Sequence, residues 1–143
     1  KAPYLLFPRG DEKSMTFLLG ILSSISLDWW ARRFVGLNLN FFIFNSFPIP
    51  LFKENCNLCK RLVEITGRLS CVDDRFADWA EKIDLKIAKP NELERDELMN
   101  ELDALVAKLF GLTADQLKHI FETYRLNWNY EVRLENTLQY FNK

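Results

Sequence analysis

The sequence predicts a mainly α-helical fold of about six helices, with a small β component near the N-terminus. Three observations predict it. Apolar residues recur at three- and four-residue spacing through most of the chain. Two short runs, Tyr4–Phe7 and Phe41–Phe44, are dense in aromatic and branched residues and are closed by prolines, as strands are. No strand pattern returns after Pro50.

In chain order, Tyr4-Leu-Leu-Phe7 reads as a strand, followed by a turn at Pro8-Arg-Gly-Asp11. Ser14 is a candidate N-cap for one long helix from Met15 to Val35, in which Leu18, Ile21, Leu22, Ile25 and Trp29 form the apolar stripe. Gly36 is expected to end that helix, with Arg32 and Arg33 in its last turn, where positive charge suits the helix dipole. Phe41-Phe-Ile-Phe44 then reads as a buried strand that enters the extended segment Pro48-Ile-Pro50.

Leu58, Leu62, Ile65 and Leu69 share one face of a helix over 57–71, and Asp73 or Asp74 caps the next, which carries Phe76, Trp79, Ala80 and Ile83. A linker over 86–91 precedes the helix opened by Pro90-Asn-Glu-Leu93. Its apolar face is Leu98, Leu102, Leu105, Val106 and Leu109; its polar face holds Glu94, Glu97, Glu101 and Lys108. Gly111 ends it. Thr113-Ala-Asp-Gln116 has the pattern of a capping box, and a last helix runs from Tyr130 to Phe141. The expected organisation is a strand–helix–strand unit over 1–52 and a helical region over 53–143, together one compact fragment of a larger protein.

A chain of 143 residues with 48% hydrophobic content is long enough to bury a core of its own. Its net charge of −1 disfavours a free-standing nucleic-acid binder, but the average hides an asymmetry. Residues 1–72 carry nine basic and five acidic groups; residues 73–143 carry ten and fifteen. Any polyanion is therefore expected at the first half. The apolar stretch from Met15 to Ile25 is interrupted by Asp28, Arg32 and Arg33, short of the ~20 residues a bilayer span needs, so the expectation is a cytoplasmic protein with no membrane partner. The absence of an initiator Met adds the expectation of a fragment.

Three cysteines argue against a disulfide framework. Cys56-Asn-Leu-Cys59 fits half of a zinc site, but completing it requires Cys71 and His119 from other helices, so ordinary boundary thiols are the favoured reading and no metal is assigned. A methyltransferase needs a Gly-rich cofactor turn and an Asn/Asp-Pro-Pro-aromatic loop, and neither occurs. The chain also lacks a nuclease-type carboxylate and lysine trio, a phosphate loop, and a nucleophile that pairs with His119. No catalytic residue is assigned.

Three segments resemble a known family. Phe17-Leu-Leu-Gly-Ile-Leu-Ser-Ser24, Trp30-Ala-Arg-Arg-Phe-Val-Gly36 and Asn40-Phe-Phe-Ile-Phe-Asn-Ser-Phe-Pro-Ile-Pro50 form the first; Arg61-Leu-Val-Glu-Ile-Thr-Gly-Arg-Leu-Ser-Cys71 with Asp74-Arg-Phe-Ala-Asp-Trp-Ala80 form the second. The third, Leu102-Asp-Ala-Leu-Val-Ala-Lys-Leu-Phe-Gly-Leu-Thr113 followed by Leu117 to Tyr124, is the most diagnostic. In this order they resemble the C-terminal target-recognition and helical region of type IIG and BREX-type adenine-specific DNA methyltransferases of restriction-modification systems.

The resemblance implies that an upstream methyltransferase domain of the same polypeptide, alone or fused to an endonuclease, binds S-adenosylmethionine and flips the adenine. The present region then grips double-stranded DNA and selects its sequence. Candidate DNA-binding residues are Arg9, Lys13, Arg32, Arg33, Asn38 and Asn40, which lie in the basic half near expected turns; Arg suits guanine and Asn suits adenine. Each also has a structural reading, as a dipole-neutralising charge, a turn former or a solvated side chain. The alternative from another class is a helical protein–protein docking module of a phage-defence or restriction complex, favoured by the acidic amphipathic helices of the second half.

Overall fold

The computed structural model describes residues 11–36, 39–124 and 130–143. Within them the chain forms eight α-helices and one short 3₁₀ helix, and no strand. The helices are α1 (Glu12–Leu22), α2 (Ile25–Ala31), α3 (Phe41–Phe44), α4 (Asn57–Ser70), α5 (Ala77–Lys82), α6 (Glu92–Leu109), α7 (Ala114–Glu122) and α8 (Glu131–Phe141); the 3₁₀ turn Asp74–Phe76 leads into α5.

The expected single helix over 15–35 is two. Ser24 adopts an extended backbone (φ −83°, ψ 149°); its hydroxyl donates to the Ile21 carbonyl at 2.8 Å and accepts from the Leu27 N–H at 3.3 Å. One serine thus closes α1 and caps α2, which the unbroken apolar stripe of the sequence conceals. Helix α1 also begins earlier than expected, so Ser14 lies inside it and Asp11 stands at the N-cap position. Helix α2 ends at Ala31, and Arg32, Arg33 and Phe34 continue as turns, short of the expected stop at Gly36.

The expected strand Phe41–Phe44 is helix α3. Asn40 caps it, its side-chain oxygen accepting from the Ile43 N–H at 2.9 Å. A strand needs a partner ladder, and among the described residues there is none; a local side-chain cap supplies the bonds for one helical turn instead. The small β component therefore has no support at this position, and the other expected strand, Tyr4–Phe7, lies outside the described residues.

Stop and start signals in the second half operate as the sequence predicts. Gly111, at φ 68°, closes α6: its N–H donates to the Lys108 carbonyl while that of Leu112 donates to the Ala107 carbonyl, both at 3.0 Å. Thr113 and Gln116 form the capping box of α7, and Asn91 with Glu94 forms a second one at α6. Asp73 caps the 3₁₀ turn, and Ile83 falls just beyond α5.

Helix α6 is the axis of the fold, touching α4, α8, α2 and α1. The expectation of one apolar and one polar face is too simple for it. Besides Leu98, Leu102, Leu105 and Val106, it buries Asn100, Asp103, Ala104 and Ala107, because neighbours cover it from several sides. Phe17 and Ile21 of α1, Leu62 and Ile65 of α4, and Leu102 and Val106 of α6 form one core cluster, so residues on both sides of position 52 share it. Ile25 of α2, Ala107 of α6 and Leu117, Ile120 and Phe121 of α7 form another, with Leu134 and Leu138 of α8 packed against it.

Candidate nucleic-acid interface

The surface that gathers exposed cations and aromatic rings is the end of α2. Its position is set from below: the Ile25 N–H donates to Asp103 Oδ1 at 2.8 Å, tying the first turn of α2 to the middle of α6. One turn later the helix presents Asp28 and Trp29, and the turn that follows its end presents Arg32 and Arg33. Arg32 donates from Nε to Asp28 Oδ2 at 2.8 Å, and the Tyr124 hydroxyl, arriving from the end of α7, donates to the same oxygen at 2.9 Å. The guanidinium of Arg32 also lies over the Tyr124 ring, 4.7 Å from its centre.

This local network shifts both ionisable partners. The hydrogen bond and charge of Asp28 raise the pKa of Arg32, and burial, followed by the bond to Asp28, pushes the Tyr124 phenol well above its ordinary range.

Arg33 is placed differently. Its guanidinium stacks on the Trp29 ring at 3.9 Å, and no carboxylate pairs with it among the described residues. Trp29 in turn meets the His119 ring edge-on at 6.4 Å, while Trp30 packs on Phe34 at 4.4 Å and on Phe47 at 5.3 Å. Beside this cluster lies a cavity of about 700 Å³ lined by Leu22, Leu27, Asp28, Ala31, Arg32, Val35, Leu39, Phe44 and Phe47. In the segments that line it, Phe34 is 53% exposed, Phe41 54% and Phe42 87%.

Of the residues that the sequence placed in one interface, Lys13 lines a different groove from Arg32. Arg32 and Arg33 are together and exposed at the end of α2. Lys13 sits in the first turn of α1, bonded to Asp84 at 2.7 Å, in a groove that also holds Glu54, Glu64 and Lys60. Three carboxylates against two ammonium groups, one of them bonded to Asp84, make that groove a poor seat for a phosphate. Asn40 spends its side-chain oxygen on the cap of α3. Arg9 and Asn38 lie outside the described residues.

Sequence reasoning missed Trp29, Trp30, Phe34 and Tyr124 as members of this surface. The pair Trp29-Trp30 next to Arg32-Arg33 was a usable signal, since one helical turn brings such neighbours into stacking range. Tyr124 was not legible, because its bond to Asp28 spans 96 positions.

Among the described residues, no group of three or more His, Cys, Asp or Glu is arranged to hold a metal, and no helix is long and apolar enough to cross a membrane. Comparison of the chain with family models, with curated proteins and with solved structures finds no match.

Proposed function

We propose that this chain is the DNA-binding, sequence-specificity fragment of a restriction-modification type adenine-specific DNA methyltransferase. In this reading it has no catalytic site of its own, it works in the cytoplasm, and a domain upstream in the same polypeptide holds S-adenosylmethionine. The three-segment resemblance supplies the class. The observation that carries the reading in this molecule is Arg33, exposed, free of any carboxylate among the described residues and lying over the Trp29 ring next to exposed Arg32.

A guanidinium stacked on an indole has lost much of its rotational freedom, yet its N–H edge stays open to a phosphate oxygen or to the acceptor edge of guanine. Arg33 is thus the first contact and Arg32, one of whose nitrogens is committed to Asp28, the second. Lys13 and Asn40 act in the fold and not on DNA.

The docking reading has a specific observation in its favour: Arg32 lines an apolar cavity, and Phe34, Phe41 and Phe42 of the surrounding segments are exposed. Exposed apolar surface of this kind suits contact with protein, including the upstream domain itself. Titrating a DNA duplex with the chain at low salt, then at rising salt, separates the two readings. A DNA-reading fragment binds and weakens steeply as salt rises; a docking module leaves the duplex unbound from the start.

A further inference from the structure

The residues Cys56-Asn-Leu-Cys59 occupy a setting that the DNA-binding reading leaves unexplained. Cys56 is the N-cap of α4, a helix of 14 residues, and its sulfur accepts from the Cys59 N–H at 3.4 Å. Cys59 lies on the first turn of that helix, buried in the core cluster built around Leu62 and Ile65, while Cys56 is only partly covered. Both thiols are free. Helical geometry puts residues three apart at a Cα separation of roughly 5 Å, inside the ~4.4–6.8 Å that a disulfide spans. The pair can therefore close without moving the helix.

We propose that Cys56 and Cys59 form a thiol–disulfide exchange site, with Cys56 as the attacking thiol and Cys59 as the resolving one. The ligand class is a low-molecular-weight disulfide, of which glutathione disulfide is the working example. The Cys56 thiolate attacks one of its sulfurs; the S–S bond breaks, one glutathione leaves as thiolate and takes a proton from water, and Cys56 carries a mixed disulfide. Cys59 then gives up its proton and attacks the Cys56 sulfur, expelling the second glutathione thiolate, which is protonated in turn. Two protein thiols are oxidised and one disulfide is reduced to two thiols.

The electrostatics match this division of roles. Bonds from the Cys59 backbone and thiol hold Cys56 below the ordinary thiol value, whereas burial pushes Cys59 up. Cys71 is buried too, and that burial raises its pKa, which disfavours its thiolate as the attacking group.

The test is to treat the folded chain with glutathione disulfide, alkylate it, denature it, alkylate with a second reagent and map the tryptic peptides. Cleavage after Lys53, Lys60, Arg68 and Arg75 puts Cys56 and Cys59 in one peptide and Cys71 in another. The expected product is a 54–60 peptide that lacks the mass of one hydrogen molecule and carries no alkyl group, with Cys71 labelled only after denaturation. Cys59→Ser should stop at the mixed disulfide on Cys56, and Cys56→Ser should slow the loss of Cys59 thiol by about tenfold or more. Closure onto Cys71, a persistent mixed disulfide in the unsubstituted chain, or two alkylated thiols in the 54–60 peptide overturns the proposal. The peptide map of the unsubstituted chain decides the matter even if a variant does not fold.

Discussion

Asp103, fully buried in the middle of α6, accepts the first N–H of α2 from Ile25 at 2.8 Å. Its other oxygen meets the Arg133 guanidinium of α8. One carboxylate thereby joins three helices and fixes the direction in which α2 delivers Arg32 and Arg33 to the surface. Removing it leaves the Ile25 backbone donor unpaired and takes the buried carboxylate away from Arg133. Asp103→Ala should cost about 3 kcal/mol or more in a denaturant titration, and Asp103→Asn less, since an amide oxygen can still accept from Ile25. Equal costs for the two variants would show that the Ile25 bond contributes nothing.

Packing of α1 on α4 leaves no room at Gly20. A Cβ there would stand 2.3 Å from Thr66 Oγ1 and 3.0 Å from the Leu62 side chain. Gly20→Ala should destabilise by about 1–3 kcal/mol. Thr66 Oγ1 is buried and without a hydrogen-bond partner among the described residues, so Thr66→Ala removes the obstruction at little polar cost. The double variant should then regain a measurable part of the loss in thermal unfolding; strictly additive losses would place the clash elsewhere.

Asp84 follows α5 at φ 61°, with its N–H on the Glu81 carbonyl and that of Leu85 on the Ala80 carbonyl, the arrangement in which helices usually place glycine. Asp84→Gly relieves a left-handed backbone but loses the bond to Lys13. That pair is exposed, its side chains being 47% and 79% accessible, so solvent screening leaves it little weight in stability. Unfolding measurements should find Asp84→Gly at least as stable as the original and Lys13→Ala nearly unchanged. A large loss in either would make the ion pair a principal tie between α1 and α5.

Alkylation of Cys56 should follow the thiolate. Because its N-cap setting lowers its pKa from 9.0, its rate should rise with pH and reach half its plateau below pH 9. Cys59 and Cys71, both shifted upward by burial, should react later and at higher pH. A common pH midpoint for all three would remove the distinction.

Local signals carried the helical class, the stops and the caps: Gly111, the Thr113–Gln116 box and the stripe of α4 lie within a few residues of what they control. Where two local forces competed, the sequence was ambiguous. Phe41–Phe44 has strand composition, but Asn40 in front of it wins with a single side-chain bond. Ser24 breaks an apolar stripe that reads as continuous. For the candidate interface, the adjacency of Arg32 and Arg33 was readable, whereas Lys13–Asp84 and Tyr124–Asp28 depend on how distant helices dock.

Duplex affinity against salt, compared for the chain, Arg33→Ala and Lys13→Ala, tests the central assignment most directly. The unsubstituted chain should bind at low salt with affinity falling linearly on logarithmic axes. Arg33→Ala should weaken binding and flatten that slope by about 1, while Lys13→Ala leaves it unchanged. An absence of duplex binding at low salt, or a slope indifferent to Arg33, contradicts the account and returns the end of α2 to a protein-docking role.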